Sequence, residues 1–275
     1  MTEKATPRGD GSPSGDLNEI IHGWEFDPTS ETNNVRLVAA PDGSQRVQLR
    51  VRFGLLQLYA DGAPETGGES ILDEINRELA DYRARKGSDK DFSINTFRTA
   101  QASQEIMDYY QRRVCFFLLA DYRRAMRDAE HNLDLLRLLK KYSVDGRTVD
   151  GHDRYRPFVL MDRARAAAMI AMEQDDFDRA MAEIDEAVGA IEAFYREAGH
   201  EEFISKSNEI DVLRSLKADL RREYCIPMTK LEHIESLKEE QERAIAREDY
   251  EKAARIRDEI HEIEEHGRTE ERGVS

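Results

Sequence analysis

Cysteine and long apolar runs are scarce in this chain and positive charge is outnumbered by negative, and each of these shortfalls excludes something. Two cysteines, Cys115 and Cys225, are too few for a disulfide scaffold or an unaided zinc knuckle. Both stand in apolar helical contexts and read as buried thiols of a reducing compartment. No stretch approaches the roughly 18 consecutive apolar residues that a membrane-spanning helix requires. Residues 1–16 are polar and rich in Gly, Pro and Ser, without the apolar core of a secretion signal, so a cytoplasmic protein with no membrane contact is expected. The 41 Lys and Arg are outnumbered by 57 Asp and Glu, a net charge of −16 that repels nucleic-acid backbones and anionic lipid. Arg46, Arg50 and Arg52 come nearest to a basic face, and their alternate spacing reads as the solvated side of a strand. Direct nucleic-acid binding is therefore not expected.

Catalytic patterns are equally thin. Gly67, Gly68, Glu69 and Ser70 form a glycine-rich loop before a helix, but without the spacing or lysine of a phosphate loop. Asp145, Asp150, His152 and Asp153 fit neither a calcium loop nor a zinc-binding helix and read as polar turns. No nucleophile stands beside a base. The chain is expected not to be an enzyme, with no catalytic residues, no metal ligands and no cofactor.

What is present is a short β segment followed by helices. Residues 1–17 read as a disordered tail, and residues 18–66 as a small region of β-hairpin and sheet. There Trp24 is expected to anchor a core, and residues 35–39 and 47–53 alternate apolar with polar around a turn at Pro41, Asp42 and Gly43. Gly54 reads as a bulge or a close approach and residues 55–59 as a continuing strand. Residues 70–225 form a helical body, opened by Ser70 as a cap with Asp73 and Glu74 in the first turn. The run 114–119 is apolar all round and belongs inside the core, residues 143–157 read as a loop, and Pro227 ends the body's last helix. Residues 229–266 form a terminal helical hairpin and residues 267–275 a frayed tail. The fold class expected is mainly α, with a small N-terminal antiparallel β-sheet, helical hairpins in the body, and one more hairpin at the carboxyl end.

A phrase recurs at three hairpin turns: Asp, aromatic, any residue, basic, Ala. It begins at Asp121, Asp176 and Asp249. The acid suits an N-cap, the aromatic the turn, and the alanine a close helix crossing. The spacing is too uneven for a regular solenoid. Around the middle copy, residues 163–195 resemble a single tetratricopeptide unit, with Ala164, Ala168 and Ala171 as small residues of one helix and Ala180, Ile184 and Ala187 on the other.

The third copy lies in the stretch around which the rest is organised, residues 231–264. Leu231, Ile234, Leu237 and Ala244 make a thin stripe on its first helix; Ala253, Ile256, Ile260 and Ile263 make one of the coiled-coil kind on its second. Residues 248–260, EDYEKAARIRDEI, resemble the UVR motif, the helical hairpin shared by the excinuclease B and C proteins and found in some Clp-type ATPases and kinase activators. Glu240 and Gln241 depart from it, standing where the motif often has a large apolar side chain. The resemblance implies a hairpin that binds proteins and does no chemistry. Missing Cys-x-x-Cys pairs separate the chain from the zinc-bearing kinase activators, and missing helicase motifs from excinuclease B.

An adaptor is thus expected, its hairpin stripe left uncovered for a foreign helix. Leu237, Tyr250, Ala253, Ile256, Ile260 and Ile263 would anchor the partner, with Arg257 and Asp258 setting orientation at the rim. The partner would be another UVR-type hairpin, a second copy of the chain in a homodimer, or a regulated enzyme, in excision repair or Clp-type proteolysis. The alternative is a helical body that binds a peptide or small molecule, with the hairpin as a structural lid.

Overall fold

A computed structural model of the chain describes Leu17 and residues 21–228, 230–246 and 249–272. The tail expected over residues 1–17 lies outside the described residues except for Leu17, as do residues 273–275 of the carboxyl-terminal one. The chain divides into two compact units, Met1–Arg214 and Ser215–Ser275.

The first unit opens with strands β1 (Val35–Ala39), β2 (Gln45–Val51) and β3 (Gly54–Tyr59), antiparallel in the order β1-β2-β3. Six helices follow: α1 (Ile71–Lys86), α2 (Thr96–Leu118), α3 (Tyr122–Tyr142), α4 (Gly146–Asp153), α5 (Arg156–Met172) and α6 (Phe177–Glu197). Helix α7 (Asn208–Tyr224) carries the boundary, and the second unit continues with α8 (Lys230–Ala246) and α9 (Tyr250–Arg272). The class is the expected one, mainly helical with a small antiparallel sheet near the amino end. Helix α9 runs past His266, where the sequence suggested fraying.

The sheet corrects three expectations. Val51 pairs with Gly54, so the chain reverses at Arg52 and Phe53 in a two-residue turn, and Gly54 opens β3 rather than making a bulge. Phe53 is 88% exposed at that turn. Alternation alone runs straight through a reversal that lacks an Asn-Gly signal. The face bearing Arg46 is covered, not solvated: the Arg46 guanidinium lies 3.5 Å from the Tyr59 ring centre and pairs with Asp42 at 2.8 Å. Gln48 beside it accepts from Arg36 Nε and donates to Gln57, each at 2.7 Å. Trp24 is a half-buried clamp rather than a core anchor, its Nε1 donating to Asn33 O at 2.8 Å and its ring under the Arg36 guanidinium at 3.9 Å.

The sheet's other face buries Val35 and Val47, and these with Ala60 join Cys115, Phe116, Ala125 and Ala166 in one core. Only Cys115 and Phe116 of the 114–119 run are fully buried. Burial pushes the Cys115 thiol up to about 11, whereas Cys225 is exposed, contrary to expectation, because it ends α7 in the left-handed region at φ 53°. A second core joins α1, α2, α3 and α4 through Ile75, Ile106, Leu135, Leu139 and Val149. Helix α1 starts at the expected cap, Ser70 and Asp73 bonding reciprocally. Its first amides, Ile71 N and Leu72 N, also donate to the Glu105 carboxylate at 2.7 and 3.1 Å.

Helix α4 occupies the middle of residues 143–157, where a loop was expected. Asp145 caps it by accepting from Thr148 N at 3.2 Å, and Val149 enters the core, which outweighs the low helix propensity of Gly146 and Gly151. Two buried ion pairs cross-link the body. Asp128 of α3 receives Arg112 Nε and Nη2 of α2 at 2.8 Å each, and Asp162 of α5 receives Arg113 Nε at 2.9 Å. Arg112 Nη1 also donates to the carbonyls of Tyr59 and Gly62, fastening the β3 turn to the helices. Gly62 has φ 70°, and a Cβ there would strike the Gly67 backbone, so no other residue fits.

Candidate functional site

Three turns share one geometry. At each, the Asp carboxylate accepts from the amide three residues on: Asp121 from Arg124 N, Asp176 from Arg179 N, Asp249 from Lys252 N, all at 3.1 to 3.2 Å. The amide of the same Asp closes the preceding helix by donating five residues back, to Phe116, Ala171 and Ala244. A left-handed residue makes that closure at the first two turns, Ala120 at φ 54° and Asp175 at φ 56°. The alanines of the phrase, Ala125, Ala180 and Ala253, are all buried at the helix crossing. At the middle copy Ala164, Ala168 and Ala171 of α5 and Ala180, Ile184 and Ala187 of α6 are likewise buried.

The third turn builds the hairpin of α8 and α9. Leu237, Ile256 and Ile260 are buried against one another, with Ile234 and Ile263 packed beside them, and Ala244 and Ala253 bring the backbones together near the turn. This corrects the expectation of an uncovered ridge. Each stripe finds its cover on the opposite helix of the same hairpin, where coiled-coil spacing directs it. The side chain of Leu231 lies outside the described residues. The two departures from the motif brace the same seam: Gln241 Nε2 donates to Ala253 O at 3.2 Å, and Glu240 pairs with Lys252 of the other helix at 2.7 Å.

Of the residues expected to anchor a partner, Ala253, Leu237, Ile256 and Ile260 are thus interior and Ile263 half-buried. Tyr250, Arg257 and Asp258 are exposed, the last two paired with each other at 2.6 Å. The aromatic residue that was to plug the turn instead stands out from it, Tyr250 being 66% exposed. Ile245, which sequence reasoning passed over because it falls off the stripe, is 49% exposed. The two flank one turn: Asp249 N donates to Ala244 O at 2.9 Å, and these are the chain neighbours of Tyr250 and Ile245. The end of the hairpin therefore presents an aliphatic and an aromatic side chain, while its length is sealed and charged.

The other candidate groups are accounted for locally. Asp150 and Asp153 pair with Lys140 at 3.2 and 3.4 Å, Asp153 also with Arg156, and Asp145 is a cap. Partial burial lowers the His152 pKa. Among the described residues no cluster of three or more His, Cys, Asp or Glu side chains is placed to hold a metal ion, and no helix is long and apolar enough to cross a membrane.

Comparison with known proteins agrees with the hairpin. The family model described as the UvrB/uvrC motif matches residues 232–265. The tetratricopeptide likeness of residues 163–195 gains no support from the comparisons. No curated protein and no solved structure matches the chain.

Proposed function

We propose that the chain is a non-catalytic docking protein whose carboxyl-terminal hairpin engages a protein partner through the end that carries Ile245 and Tyr250. The observation behind this reading is the contrast within the hairpin: its stripe is closed on itself, yet two large apolar side chains stand in solvent on either side of one turn. Single exposed apolar residues are ordinary, but a pair flanking one turn of a hairpin makes a compact anchor with a polar rim. The match at residues 232–265 supports a role in protein interaction. The partner classes are a second UVR-type hairpin, a copy of the chain itself, or an enzyme under regulation in excision repair or Clp-type proteolysis.

The test replaces the exposed pair and spares the seam. Ile245→Lys with Tyr250→Glu places each new charge at the helix end that favours it, so the hairpin should keep its helicity by circular dichroism. Affinity purification from the native cell is expected to recover a discrete partner with the full chain, and to lose it with this double variant and with a chain ending at residue 228. A partner recovered equally by the double variant contradicts the reading.

A further inference from the structure

A groove of about 680 Å³ lies on the first unit between the end of α3, the start of α5 and the second half of α6. Its floor is apolar, with Leu160 and Phe194 set among the small residues Ala190, Ala193 and Ala198. Its rim is basic: Arg137, Lys140, Lys141 and Arg156 face two lining carboxylates, Asp153 and Glu197. That balance is the reverse of the chain as a whole, in which acids outnumber bases 57 to 41. We propose that this groove binds a short acidic peptide segment of a partner protein, an apolar side chain resting on Leu160 and Phe194 and its neighbouring carboxylates on Arg137 and Lys140.

Two of the rim cations, Arg137 and Lys140, can exchange exposed carboxylate partners, whereas Arg156 is held at 2.6 Å by the largely buried Asp153, which Lys140 also reaches at 3.4 Å. Arg137 pairs with Asp134 and Lys140 with Asp150, and all four side chains are at least half exposed. Such surface pairs hold each other weakly, so a carboxylate on a ligand can replace them at little cost. The α6 wall from Ala190 to Ala198 spans about 12 Å, the reach of roughly four extended residues. A small ligand is less well served, because most of the rim charges stand in water rather than converging within an enclosed site. A nucleic acid is disfavoured, since its phosphates would extend over a surface of net charge −16. The assignment concerns residues 137–198 and stands whether or not the hairpin docks.

Phage-displayed random heptapeptides panned on the full chain test it, followed by fluorescence anisotropy with the most enriched sequence. The expected consensus is net negative with one large apolar residue. Its affinity should fall with added salt, and at least about tenfold both in Arg137→Gln with Lys140→Gln, which removes rim charge, and in Ala193→Phe, which fills the floor. Thermal unfolding of each variant separates a lost site from a lost fold, and either folded variant decides the outcome. Failure to enrich, a neutral or basic consensus, or an affinity unchanged in the folded variants overturns the proposal. Citrate binding as tightly as the peptide assigns the groove to small anions and overturns it as well.

Discussion

Arg112 and Arg113 stand next to each other in α2, both fully buried, yet their surroundings differ. Arg112 is held by a two-pronged pair with Asp128 and by two carbonyls, which satisfies its guanidinium. Arg113 gives Nε to Asp162, while its Nη1 and Nη2 have no hydrogen-bond partner among the described residues and the guanidinium lies near the rings of Tyr110 and Phe158. Burial raises the Asp162 pKa, the neighbouring guanidiniums opposing it. Arg112→Met should therefore cost about 3 kcal/mol in urea denaturation, because it leaves the fully buried Asp128 carboxylate with only the half-exposed Arg127 at 3.0 Å, whereas Arg113→Met with Asp162→Leu should cost at most about 1 kcal/mol or even stabilise. Equal losses in the two experiments would contradict this contrast. Asp89 contributes to the acid dependence, alongside Asp27 and Asp42, whose carboxyl pKa values are also lowered. The Asp89 carboxyl is held well below the usual range by hydrogen bonds from the Tyr142 hydroxyl, Arg83 and Lys141. A depressed pKa means that the unfolded chain takes up the proton first, so stability is present above pH 3.8 and is lost as pH falls below it. Asp89→Asn should flatten the fall in melting temperature below that pH. Apart from Asp42, placed in a turn, none of these residues was singled out from the sequence, because a charged side chain looks solvated until its partner in another element is known. The capping acids needed no distant partner, and they were legible.

At the scale of elements, the three capped turns are the best-read part of the chain. A cap acts within one helical turn, so its signature is local. Asp176→Ala should lower stability by about 1 kcal/mol, and the same change at Asp249 should reduce the helicity of the terminal hairpin with little effect on the body's melting. Burial of the hairpin seam has a sharper consequence. Ile256→Asp with Ile260→Asp would place two carboxylates between α8 and α9, and circular dichroism should show the loss of both helices. A hairpin that keeps its helicity in that variant would contradict the packing. Loss of partner capture by the same variant says nothing about docking, which is why the exposed pair is the better probe. The stripe was visible in the sequence, but which surface covers it was not: the same spacing serves a foreign helix and the hairpin's own. Helix α4 and the turn between β2 and β3 were misread for a related reason, since their glycines and missing turn signals are outweighed by a cap, by Val149 and by strand pairing.

For the whole molecule, the division into two units means that the body and the hairpin each own a core. A chain ending at residue 228 should keep a cooperative unfolding transition close to that of the full chain, as followed by near-ultraviolet dichroism. A broad or absent transition would show that the body depends on the hairpin. The order of classes along the chain, sheet then helices then hairpin, was legible because each changes the hydrophobic period over many residues. The groove was not, since its rim and floor come from helices far apart in sequence. Docking by the end of the hairpin is put to the test by amide hydrogen exchange on the co-purified complex compared with the free chain. New protection should concentrate over residues 244–253, with the seam around residues 256–260 unchanged; protection confined to the body, or spread along the seam and absent from the turn, would rule out docking by that end.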